Sequence, residues 1–187
     1  VLYDLFHEFE GQRIITACFA SHIHRVQQIA DAAIAFDRTI ATMGLSMKKN
    51  VRLAREMGMW INAGSFLLDG GHGRYRNRSD LFAPDGGHLW QDKLRLTGFE
   101  KDTGVIESGD ALKVFEVDGV RAGIAICYDS EFPLPVRAQC EAGARLLLVP
   151  SCTDTEAGAT RVRVGCLARA LENRCFVAQA VTAGEAP

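Results

Sequence analysis

The sequence predicts a layered α/β fold with a mixed sheet, on three observations. All-apolar segments of strand length, "RAGIAIC", "RLLLVPS" and "CFVAQAV", alternate with helix-forming segments in the last third of the chain. Strands apolar on both faces are the kind that helices cover. Hairpin signals precede them, Asp118-Gly119 above all, so antiparallel strands must join the parallel ones. The composition, 48% hydrophobic and 24% charged over 187 residues, is that of an ordinary globular chain with enough residues for one sizeable core.

Taken in order, residues 1–23 carry no clear period. Val26, Ile29, Ala33, Ile34, Ile40 and Met43 then recur near helical spacing, with Asp37 and Arg38 on the other side. Ser46 is placed to cap a second helix that runs to Met57 and stops at Gly58. "MWINAGSFLL" reads as a strand. "RYRNRSDLFAPDGG" reads as a strand that turns at Pro84-Asp85-Gly86-Gly87, and "HLWQDKLRL" as the strand that returns. "LKVFEVDGVRAGIAIC" is two strands around Asp118-Gly119. A helix follows over about residues 135–142, then the strand "RLLLVPS", a helix over about 160–172 and the strand "CFVAQAV". No repeat, low-complexity segment or linker divides the chain, so residues 1–187 are read as one domain.

Charge and composition exclude several classes. A net charge of −2 gives no electrostatic case for nucleic acid or an acidic membrane surface. No run of 18 apolar residues is present for a membrane span. "VLYDLFHEFEGQR" lacks the features of a signal peptide. The cysteines stand at 18, 127, 140, 152, 166 and 175, with no C-x-x-C pair and no histidine after His88. That spacing argues against a zinc site, and the apolar content argues against a disulfide framework. The expectation is a reduced, cytoplasmic protein without metal or cofactor.

Cys127 stands apart from the other cysteines. It ends the strand "RAGIAIC" and precedes a turn, "YDSEFP", that leads into a helix. Strand ends in α/β sheets face the crevice where ligands bind. A following helix N-terminus would lower the thiol pKa and hold an oxyanion. The plainer reading, a small buried hydrophobe, stays open at this point. Cys140, Cys166 and Cys175 sit in helix or strand patterns and read as core. Cys152 follows a strand end and is placed to line the same crevice. Lys93, in "WQDKLRL", is a candidate partner for developing negative charge, against the alternative of a solvated surface lysine.

From about Val51 to Ala186 the chain resembles the nitrilase, or carbon–nitrogen hydrolase, superfamily. The resemblance rests on "LAREMGMWINAGSF", "RYRNRSDLFAPDG", "QDKLRL", "GVRAGIAICYDSEFP", "AGARLLLVPS" and "ARALENRCFVAQA", in that order. "CYDSEFP" with "VPSCTDT" is similar to a branch sometimes fused to an acetyltransferase domain. The resemblance implies an α-β-β-α sandwich, of which this chain holds the central part, incomplete at both ends. It implies a cofactor-independent Glu–Lys–Cys triad acting on a small amide or nitrile through a thioester, and a homodimer or higher homo-oligomer.

Carried over by motif, Cys127 is the nucleophile. Lys93 stabilises the tetrahedral intermediate, with help from the Tyr128 N–H. The general base comes from a motif that normally reads Phe-Pro-Glu. Here Phe6-His7-Glu8 stands in its place, making Glu8 the base, with Glu10 behind it. Residues 9–50 do not align with the family. Glu100 is the assisting second glutamate, with Glu107 behind it. Ser151 and Thr153 line the substrate pocket. Arg137, Arg169, Glu172 and Asn173 match recurrent positions and read as packing and ion-pair residues. Two alternatives accompany the hydrolase: a non-catalytic module that keeps the fold, and acyl transfer to an amine.

Overall fold

A computed structural model describes residues 47–153 and 155–181, together with residues 7, 35 and 36. Helix α1 (Met47–Met57) leads into strands β1 (Ile61–Gly71), β2 (Arg74–Phe82) and β3 (His88–Asp92), a short helix α2 (Gly98–Asp102) and a two-residue strand β4 (Ile106–Glu107). β1, β2 and β3 pair antiparallel in that order, and β4 runs parallel to β2. The second sheet holds β5 (Val114–Val117), β6 (Val120–Ile124), β7 (Leu146–Ser151) and β8 (Phe176–Val181), in that order. β5 and β6 form an antiparallel hairpin, while β6, β7 and β8 are parallel, so this sheet is mixed. A 3-10 turn (Cys127–Glu131) and helix α3 (Pro133–Glu141) connect β6 to β7, and helix α4 (Glu156–Asn173) connects β7 to β8.

Local chemistry explains the punctuation. α1 stops at Gly58, whose φ of 58° is a conformation that glycine adopts without strain. The β5–β6 turn places Asp118 at φ 49° and Gly119 at φ 78°, as a two-residue hairpin loop requires.

Alternation along the strands sets the layers. Ile124 and Ile126 point to one side and cluster with Leu81 and Phe115, filling the space between the two sheets. Ala125, Leu147 and Val149 point to the other side and meet Val136 of α3 with Val162 and Cys166 of α4. On the far face, Ala54 of α1 covers Ile61 and Phe82. The order is therefore helix, sheet, sheet, helix, the expected α-β-β-α sandwich. Leu81, Phe82, Ile124 and Leu147 are each at most 1% exposed. Burial of such side chains contributes about 1.5–3 kcal/mol apiece.

Three of the boundaries that differ from the sequence reading bear on the site. "HLWQDKLRL" leaves the strand at Asp92, because the Leu94 and Arg95 N–H groups turn to a side chain, Asp129, instead of to β2. "RAGIAIC" ends at Ile124, three residues before Cys127. α4 begins four residues earlier than expected, since the Thr155 hydroxyl accepts from the Gly158 N–H and caps it there.

Candidate active site

Lys93 lies one residue past β3. Its N–H donates to the Asn77 carbonyl, and its carbonyl accepts from the Gly109 N–H, each at 2.8 Å. With the backbone held from both sides, the side chain turns inward. It is 4% exposed as a residue, and Nζ donates to Glu100 Oε2 at 2.7 Å. A buried ammonium needs such a partner. It is therefore no surface lysine.

Glu100 belongs to α2 and takes part in that helix's capping box. Its Oε2 accepts from the Thr97 N–H at 2.8 Å and from the Thr97 hydroxyl at 3.0 Å, while the Glu100 N–H donates back to Thr97 Oγ1. Oε1 accepts from Asn77 Nδ2 at 2.9 Å. Burial alone would push this carboxyl up. The Lys93 ammonium, the Asn77 amide and the Thr97 N–H more than offset it, and Glu100 sits below its ordinary value.

Cys127 opens the 3-10 turn with φ at +47°, a left-handed conformation unusual for a residue with a side chain. Such a backbone costs on the order of 1–3 kcal/mol and persists only where the surroundings over-determine it. The Ser130 hydroxyl donates to the Cys127 carbonyl at 2.7 Å. Gly165 of α4 packs so closely that a Cβ there would stand 3.0 Å from the Ser130 carbonyl oxygen. The thiol points toward the Cys152 carbonyl, at 3.7 Å.

The resting thiol corrects one expectation. Burial pushes the Cys127 thiol up, and the Lys93 charge, the Ser151 side chain and the Tyr128 N–H lower it without cancelling that rise. The element that begins at Cys127 is a five-residue 3-10 turn, and α3 starts only at Pro133. Among the described residues no α-helix N-terminus stands at Cys127, and its thiol sits above its ordinary value.

Asp129 is the residue that sequence reasoning missed. It is 2% exposed. Its carboxylate accepts from the Arg95 N–H at 2.6 Å, from the Ile126 N–H at 3.1 Å, and from the Leu94 N–H at 3.2 Å. Burial pushes it up to about 6, against the pull of those three N–H groups and of Lys93. Asp129 accepts from the peptides that follow Lys93 and from the one that precedes Cys127, which brings the lysine loop and the cysteine turn together.

The other expected residues divide. Tyr128 and Thr153 are half-buried beside the turn and past β7, and Ser151 is buried at the end of β7. The Tyr128 ring meets Phe132 edge-on, with centroids 4.9 Å apart. Cys152 is exposed and offers its carbonyl to Cys127. Glu107 stands away from the site, exposed in β4 and 3.9 Å from Arg74, so Glu100 and not Glu107 is the glutamate that reaches Lys93. Arg137 pairs with Glu141 on the surface, Arg169 with Glu172, and Asn173 donates to the Arg169 carbonyl, as packing and ion-pair residues would. Glu8 and Glu10 lie outside the described residues. Among the described residues no three His, Cys, Asp or Glu side chains gather as a metal site, and no helix is long and apolar enough to cross a membrane.

The fold is a two-sheet sandwich in which a strained cysteine opens the turn after β6 and a buried lysine–glutamate pair stands on the loop tied to that turn, and comparison with known proteins says which family it belongs to. The carbon-nitrogen hydrolase family pattern matches residues 17–186. The chain belongs to the carbon-nitrogen hydrolase family. It is 36% identical to a probable hydrolase of Bacillus subtilis, YhcX, over 135 residues, 72% of this chain and 26% of that protein. An amidase from Nesterenkonia sp. superposes with a TM-score of 0.65 at 26% identity, over 74% of this chain and 52% of that one. The chain thus spans about half or less of the length of these relatives. A shorter likeness, 51% identity over 57 residues, is to ribonuclease J of Mycobacterium tuberculosis and covers 30% of this chain and 10% of that protein. The family match begins at residue 17, so Glu8 and Glu10 precede it.

Proposed function

We propose that this chain carries the cysteine half of an amidase-type site that hydrolyses a non-peptide C–N bond in a small amide. The observation that carries the reading is the Lys93–Glu100 pair, buried and 2.7 Å apart, on a loop that Asp129 ties to the turn of the strained Cys127. In a glutamate-to-glutamine mutant of the Nesterenkonia amidase, acrylamide adds to the active-site cysteine, which supports the same role for the cysteine here.

In this reading the Cys127 thiol gives its proton to a carboxylate. Sulfur bonds to the amide carbon, and the carbonyl oxygen takes the negative charge. The Lys93 ammonium and the Tyr128 N–H hold that charge, with Glu100 aiming Lys93. The C–N bond breaks, nitrogen leaves with the transferred proton as ammonia or an amine, and a thioester remains. Water adds to the thioester and releases the acid and the thiol. Burial of the thiol suits this order, because the thiolate is made only when the base and the substrate are in place. Ser151 and Thr153 border the substrate.

Glu8 is proposed as the base from its place in Phe6-His7-Glu8 alone. Glu8→Gln tests it. Lost turnover with retained alkylation of Cys127 supports Glu8, and unchanged turnover moves the role to Glu10 or Glu100. The whole reading is tested by ammonia release from short aliphatic amides such as butyramide. Cys127→Ala abolishes it, and a thioester or acyl adduct on Cys127 is trapped in the parent protein. Ammonia release that survives Cys127→Ala overturns the chemistry. Absence of release from every short amide, with Cys127 no more reactive than Cys152, favours a non-catalytic module with the same fold.

A further inference from the structure

Asp129 sits between the two halves of the site, and its hydrogen bonds go to main chain. Its three donors come from two chain segments more than thirty positions apart. Leu94 and Arg95 follow Lys93 directly, and Ile126 precedes Cys127 directly. One buried carboxylate therefore joins the peptide after the lysine to the peptide before the cysteine. If Asp129 served only as a cap of the 3-10 turn, the Ile126 N–H would suffice. The shortest bond of the set, 2.6 Å, instead goes to Arg95 on the lysine side. Each donor is a backbone N–H, so the clamp fixes main chain, and the side chains that project from it inherit the spacing.

We propose that Asp129 is a positioning residue that holds the Lys93 loop against the Cys127 turn and so sets how strongly the lysine ammonium acts on the thiol. The inference rests on reading Lys93 and Cys127 as the working pair, but its test uses the resting protein and needs no turnover. A positioned ammonium favours the thiolate, while the Asp129 charge by itself disfavours it. Loss of the clamp and loss of the charge therefore shift the thiol in opposite directions, and the sign separates the two roles.

The experiment is alkylation by iodoacetamide, followed residue by residue by mass spectrometry from pH 6 to 10 on the full chain. Exposed Cys152 serves as the internal reference and buried Cys166 as the fold reference. In Asp129→Asn, the midpoint for Cys127 should rise by about one pH unit, as it should in Lys93→Ala, and the double variant should rise no further. Cys152 keeps its own profile. A midpoint that falls or stays put overturns the proposal, because Asp129 would then act as a charge or a cap alone. An unfolded variant declares itself by alkylating Cys166 as fast as Cys152. In that case the decision passes to the unaltered protein. Its Leu94, Arg95 and Ile126 amides should exchange with deuterium as one slow class. Leu94 and Arg95 exchanging at least tenfold faster than Ile126 would mean that no clamp spans the two segments.

Discussion

The Lys93 ammonium and the Glu100 carboxylate meet at 2.7 Å with almost no access to water. Neither charge is tolerable there alone, and each has further support. Glu100 is held by Thr97 and Asn77, and the Lys93 backbone by Asn77 and Gly109. Asn77 of β2 thus serves both, with its carbonyl on the lysine backbone and its amide on the glutamate. The pair fixes a positive charge in a buried site, and in the proposed reaction that charge would stabilise a developing oxyanion far better than it would in water.

That arrangement predicts unequal effects from cutting the pair. Lys93→Ala should lower kcat on a responsive amide by about 100-fold or more. Glu100→Gln leaves a buried ammonium without its counter-charge and should destabilise the fold by about 3 kcal/mol or more. The double variant Lys93→Met with Glu100→Leu should be more stable than Glu100→Gln alone, because no orphan charge remains. Urea unfolding of the three variants measures this. A double variant less stable than Glu100→Gln would show that the pair has net stabilising value beyond mutual cancellation.

Cys127 separates chemistry from backbone strain. Cys127→Ala and Cys127→Gly should both be inactive, since both remove the sulfur. At φ +47° an alanine pays for its Cβ and a glycine does not. Cys127→Gly should therefore be more stable than Cys127→Ala by about 1 kcal/mol. Equal stabilities, or alanine ahead, would mean that the turn relaxes once the thiol is gone.

Much of this site was legible before the structure, and what was not has a physical cause. Cys127 was readable because an apolar strand that stops at a cysteine and a turn is a local pattern. Lys93 was a candidate from its place beside an apolar strand, Glu100 came with the family resemblance, and the two meet at 2.7 Å. The layers were readable from strand alternation in "RAGIAIC" and "RLLLVPS". Asp129 was not readable, because nothing local distinguishes a buried aspartate that accepts from distant backbone N–H groups from a solvated turn residue in "YDSE". The raised thiol pKa was missed for a similar reason. The helix that follows the turn was expected to lower the thiol, and the burial that outweighs this depends on distant segments, among them Val162 and Cys166 of α4 and Leu81 of β2. The sequence reading left residues 9–50 unaligned to the family, whereas the family match takes in residues 17–50 as well; Glu8 precedes that match and is supported by its tripeptide alone.

Gly165 predicts an effect of α4 on the turn. A Cβ at this position would lie 3.0 Å from the Ser130 carbonyl oxygen and 3.2 Å from Glu131 Cα, both backbone atoms of the turn that carries Cys127. Alanine favours a helix interior over glycine by about 1 kcal/mol, so an open site would gain from the change. Here Gly165→Ala should lose stability instead, and the rate of Cys127 alkylation should change while that of Cys152 does not. A stabilised Gly165→Ala protein with unaltered Cys127 reactivity would mean that α4 and the turn are not in hard contact.

Asp129 predicts the sign of a pH dependence. Its carboxyl is raised from 3.8 to about 6 in the folded chain by burial, so between those values the folded protein binds a proton that the unfolded chain has released. Stability from this group is then full below about pH 4 and is lost as pH rises through about 6, by roughly 3 kcal/mol at most. Glu100 and Asp92 are shifted the opposite way, so their stabilising contributions are lost as pH falls, and a single stability curve mixes the two kinds of group. The difference between the parent protein and Asp129→Asn isolates one of them. Urea unfolding at pH 4, 5, 6 and 7 should show the parent losing ground to the asparagine variant as pH rises, with the change confined to the interval between about 4 and 6. A difference that is flat over that range, or that grows in the parent's favour with rising pH, would mean that its N–H donors and Lys93 hold Asp129 ionised against burial.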